Sequence, residues 1–253
     1  MPNKSSRSNV REPMSRVRKT YFARLVGRCL ILLITILLFW LSPDQLDILD
    51  GWRFFDRFSL LHLLWIIWVI DMIYQLIPIK ELLPLGSQKL FKLRFKPIRE
   101  KMNYQALKNH IASTTRSAYK VFLIWAALII ALGALYYLKV ISGKILFLIS
   151  VIFYVCDLIC VLIWCPFRLI MRNRCCTTCR IFNWDHMMMF TPMIYVNGFF
   201  SASLLILAFI IWGIWELFVA FHPERFWDQT NEALQCAQCT DKLCTQYCQK
   251  LRK

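Results

Sequence analysis

The chain has 253 residues, of which 58% are hydrophobic, and carries a formal net charge of +16; its mean hydropathy is +0.49. This excludes an ordinary soluble domain and points to an all-α, polytopic integral membrane protein. Nucleic-acid binding is excluded as well, because the apolar runs leave no room for a basic domain outside the membrane.

In chain order, residues 1–23 form a basic N-terminus. No small-residue cleavage site follows the first apolar run, so a membrane helix is expected there and not a cleaved signal peptide; a mitochondrial presequence is the alternative reading of this basic, Ser-containing start. Five apolar windows follow, at 24–42, 58–79, 121–138, 145–167 and 193–220. Each lies at or close to the ~20 residues a helix needs to cross a bilayer. They predict a five-helix transmembrane domain over 24–220, with inner loops at 80–120 and 168–192 and a Cys-rich tail at 221–253.

Lys and Arg in the loops set the orientation. Eight of them lie up to Arg28 and ten between Lys80 and Lys120, whereas loop 43–57 carries Asp44, Asp47, Asp50 and Asp56. The basic loops are therefore expected to be cytoplasmic, and five passes place the tail on the extracytoplasmic face. A bacterial plasma membrane suits so compact a chain. The partner implied is the bilayer itself, with KLFKLRFK from Lys89 lying along its anionic inner leaflet. Residues 99–113 are expected to form a short lid helix.

Three acids fall inside the windows, and each costs about 2.5–3.5 kcal/mol near the bilayer centre unless it is partnered. Asp71 and Asp157 lie at similar depths on helices that run the same way, so they can meet as a proton or cation relay, or as a neutral helix lock. Two carboxyls brought together cannot both ionise comfortably unless a cation joins them. Gln75, four residues after Asp71, shares its helix face. Glu216 is read as snorkelling toward water. His62 and His110 are read as packing or loop residues.

Eleven cysteines are present. Cys29, Cys156, Cys160 and Cys165 read mainly as small apolar side chains, with Cys156 and Cys160 close to Asp157. The loop RNRCCTTCRIFNWDH offers Cys175, Cys176, Cys179 and His186 as metal ligands, with Arg172, Arg174 and Arg180 expected to favour thiolates. The tail, CAQCTDKLCTQYC, places Cys236, Cys239, Cys244 and Cys248 at C-x2-C-x4-C-x3-C. That spacing suits a four-thiolate zinc site or an iron-sulfur cluster. It also suits two disulfides in an oxidising compartment, or thiol exchange. Over these thirteen residues the spacing resembles a zinc knuckle, with cysteine in place of the histidine and the last gap one short. A sixth pass or a re-entrant segment would move the tail inside, next to the other thiols.

No phosphate-binding glycine motif or hydrolytic triad occurs. Two readings of function remain. One is a metal-binding or redox membrane protein coupled to its intramembrane acids. The other is a non-catalytic membrane component, such as a transporter subunit or assembly factor, with structural cysteines.

Overall fold

The computed structural model describes residues 15–78, 84–98, 103–173, 175–239, 241 and 243. Among them the α-helices are α1 (Arg16–Leu41), α2 (Leu60–Gln75), α3 (Leu85–Gln88), α4 (Tyr104–Tyr137), α5 (Gly143–Leu162), α6 (Phe167–Met171), α7 (Asp185–Phe190) and α8 (Phe199–Phe221). Four of these, α1, α4, α5 and α8, are long and apolar enough to cross a membrane. The protein is thus an all-α polytopic membrane protein.

Side-chain caps explain where several helices begin. Ser15 accepts from the Arg18 N–H at the start of α1, and Asn103 accepts from Ala106 at the start of α4. Ser59 and His62 close a reciprocal capping box on α2, which gives His62 a structural role. Pro166 helps to stop α5, because its ring and missing N–H cannot continue a helix.

The boundaries differ from the apolar windows. α1 begins at Arg16, well before the window at 24. α4 runs 34 residues, about 51 Å, and absorbs the expected lid helix; residues 99–102 lie outside the described residues. α2 is shorter than its window at 16 residues, or about 24 Å.

The largest difference lies between Phe182 and Tyr195. Here a 3-10 turn (Phe182–Trp184), α7 and a second 3-10 turn (Thr191–Tyr195) follow one another. Together they span about 25 Å, from one end of the bundle to the other. The near end is fastened by Arg180 and Trp184 to Glu216, on the last turns of α8. At the far end, the Gly51 N–H donates to the Asn197 carbonyl at 2.7 Å and the Phe199 N–H to the Gly51 carbonyl at 3.0 Å. Broken helix at membrane depth is tolerated only when enclosed by protein, and Met187, Met189, Phe190 and Met193 are all buried. Met189, Phe190 and Met193 join Trp68, Phe147 and Phe200 in the main core, and Met187 packs with Trp184 and Trp215 in a second one. The outward faces remain apolar, as Leu30, Leu33 and Leu37 of α1 and Ile206 and Ile210 of α8 illustrate; these are lipid-facing surfaces.

With this segment counted, the described chain runs six times between the two ends of the bundle, and α8 ends at the end where α1 starts. The tail folds onto the end of the bundle where α1 starts: Ser15 Oγ donates to the Asp241 carbonyl, and the Leu85 N–H to the Asp241 carboxylate. Arg225 Nη1 donates to the Leu90 carbonyl, Pro97 pairs with Asn231, and His110 stacks on Trp227 at 4.9 Å. Residues 222–234 form short 3-10 turns at Pro223–Arg225 and Glu232–Leu234.

Candidate functional site

A polar cluster lies inside the tail-facing half of the bundle. Asp71 is four residues from the end of α2 and Asp157 five from the end of α5, so both sit about 6–8 Å inside those ends. Between them is Arg28 of α1. Its Nη1 donates to Asp157 Oδ2 at 2.7 Å and to the Tyr154 carbonyl at 2.7 Å, and its Nη2 to Asp71 Oδ2 at 3.2 Å. The guanidinium also lies 3.9 Å from the centre of the Tyr154 ring, a cation–π arrangement suited to a desolvated arginine.

The broken segment adds the remaining groups. His186 Nε2 is 3.7 Å from Asp71 Oδ2, and its Nδ1 is 3.3 Å from Asp185 Oδ1. Gln75 Nε2 donates to Asp185 Oδ2 at 3.0 Å and lies 3.0 Å from His186 Nδ1. Gln75 thus turns toward the broken segment and not to Asp71. Arg28 thus bridges two of the three carboxyls, and His186 stands between Asp71 and the third, Asp185.

A second ion pair is found where sequence suggested none. Arg180 grips both oxygens of Glu216, and Trp184 Nε1 donates to the same carboxylate at 2.8 Å. Glu216 is therefore anchored in protein, which corrects the snorkelling reading. Lys89, read as lying along the leaflet surface, is fully buried. Its Nζ donates to the carbonyls of Thr177 and Cys179 at 3.0 and 2.8 Å, and lies over the Trp215 and Phe226 rings. Burial draws its pKa down to about 7.

The thiols gather around a cavity of about 260 Å³ whose wall includes Cys156, Cys160, Cys165, Cys176 and Cys179. In the turn after α5, the neighbouring Cys160 thiol, with help from the Phe167 and Arg168 N–H groups, outweighs burial and draws the Cys165 pKa down. Cys176 and Cys179 go the other way: burial pushes Cys176 up to about 12 and also raises Cys179. The expected lowering by neighbouring positive charge is outweighed there by burial; Arg174 lies outside the described residues.

A small polar cavity of about 30 Å³, room for a water, sits beside the apolar one and is lined by Tyr21, Arg24, Arg28 and Asp71. The two cavities share Asp157, Asp185, Val161 and Phe182 as a common wall.

Of the sequence candidates, Asp71 and Asp157 are brought together through Arg28, which the sequence reading counted only as an orienting charge. The signal was present, since Arg28 sits inside an apolar run that continues to Leu41. His186 joins these acids and is engaged by Asp71, Gln75 and Asp185. Among the described residues no three His, Cys, Asp or Glu side chains converge as a metal-holding group, and no disulfide joins the described cysteines. Cys236 is exposed and Cys239 half-buried in the tail; Cys244 and Cys248 lie outside the described residues. No protein-family model matches the chain, nor does any curated protein or any solved structure.

Proposed function

We propose that the protein is a membrane thiol redox protein, in which the Cys160 and Cys165 pair is the redox-active dithiol and the Arg28, Asp157, Asp71, His186 and Asp185 cluster exchanges its protons with water. One observation carries the reading: Cys160 and Cys165 line one cavity, and that cavity shares Asp157 and Asp185 with the polar cavity. Thiolate is the reactive form in disulfide chemistry. The excess of Lys and Arg at the thiol-bearing end favours a cytoplasmic setting for it, where a dithiol is kept reduced between turnovers.

The test is anaerobic oxidation of the reduced, purified protein with diamide, followed by thiol counting and peptide mapping. Loss of two thiols per chain, mapped to Cys160 and Cys165, is expected. Slower oxidation, measured on the folded fraction below the variant's own melting temperature, is expected in Asp157→Asn. A pair that stays reduced would sink the proposal. Stoichiometric zinc retained through anaerobic purification, shielding Cys175, Cys176 and Cys179 from alkylation, would favour metal handling in its place.

A further inference from the structure

We propose that the thiol-lined cavity receives the head group of a lipid-soluble quinone, which accepts two electrons from the Cys160 and Cys165 dithiol. This rests on the thiol-redox reading above and adds the oxidant.

The walls fit a flat, apolar ring. Trp125, Phe153, Phe167 and Phe182 face the cavity together with Met188 and Met189. Trp125 and Phe153 stand 4.9 Å apart at 57°, and the indole N–H of Trp125 is already given to Thr191 Oγ1, so its ring presents carbon to an occupant. Polarity is confined to the sulfurs and to Asp157 and Asp185, on the side of the polar cavity. The opening also fits. Cys156, on the rim, is exposed although it lies within the apolar span α5, so the cavity is reached from the hydrocarbon and not from water. A charged or phosphorylated oxidant would have to shed its hydration to enter there, and the chain has no glycine-rich phosphate cradle.

The stoichiometry matches as well. The Cys160 and Cys165 sulfurs form one S–S bond as both S–H bonds break, and two electrons pass to the quinone. The two thiol protons end on the two quinone oxygens, giving quinol. Asp157 and Asp185 stand where those protons must pass. A hydride acceptor takes up only one proton with its two electrons, and would leave the second in the buried cluster.

The experiment uses the full chain in phospholipid nanodiscs, reduced, freed of reductant and kept anaerobic. The probe is decylubiquinone, whose fully substituted ring prevents thiol addition. One quinol formed per two thiols lost, with Cys160 and Cys165 joined, is the expected result. Cys160→Ser and Cys165→Ser should each abolish quinol formation. Cys156→Trp, a change at an exposed rim position, should block it while the melting temperature holds. Photolabelling by an azidoquinone should mark peptides carrying Phe153 or Phe167. If diamide joins the pair but decylubiquinone is not reduced, the quinone proposal falls and the thiol reading stands; if neither oxidant joins the pair, both fall. Quinol formation that survives Cys160→Ser or Cys156→Trp would also overturn the assignment.

Discussion

Arg28 carries the most consequential single side chain in the bundle. It is 7% exposed and bonded to two acids on different helices. Removing one partner from a buried pair leaves an uncompensated charge, whereas removing all of them is often neutral or stabilising. Arg28→Met should therefore cost roughly 3–5 kcal/mol, read as a large fall in melting temperature in detergent. Adding Asp71→Asn and Asp157→Asn to that variant should recover most of the loss; a triple variant no more stable than the single would refute the pairing account. Lys89 offers a pH test. Its folded-state pKa of about 7 lies below the ordinary 10.5, so above pH 7 the unfolded chain holds a proton on this lysine that the folded chain releases. Its contribution to stability should rise with pH from about 7 to 10.5 and be flat below that window. Melting temperatures of wild type and Lys89→Met, followed across that range, should show the difference changing in that direction.

At the scale of elements, the broken segment depends on two glycines at the far end of the bundle. Gly51 adopts φ +59°, a left-handed conformation that other residues rarely take. A Cβ on Gly198 would lie 2.0 Å from the Leu49 carbonyl oxygen, a backbone atom that cannot swing away. Gly198→Ala should part the clasp between the 43–51 loop and the start of α8. Lower yield of folded protein and an earlier melting transition are expected, whereas Gly213→Ala, where nothing lies within 4 Å of the added carbon, should behave as wild type.

At the scale of the whole molecule, α1 starts and α8 ends at the same end of the bundle, which also carries both groups of described loop thiols. A membrane-impermeant maleimide should reach Cys236 and an introduced Lys92→Cys from the same side of sealed vesicles. Asp44→Cys, at the opposite end, should label from the other side. Labelling of Cys236 together with Asp44→Cys would restore an odd number of passes and separate the tail from Cys165 and Cys179.

Much of this architecture was legible in the amino-acid order. Long apolar runs have no stable place but a bilayer, and the matching depths of Asp71 and Asp157 follow from counting residues along helices of constant rise. Two things were not legible. Hydropathy reports whether a segment can face lipid, so it passed over residues 182–195, whose Asn183, Asp185, His186 and Pro192 are housed by neighbouring helices and never meet lipid. A lone Arg28 inside an apolar run likewise gives no hint of its partners, because they lie 43 and 129 residues away. Local sequence alone established the membrane class and where the acids stand. Only the tertiary packing determined which cation joins them, which end of the bundle the tail reaches, and which thiols share a cavity, because these depend on which helices become neighbours.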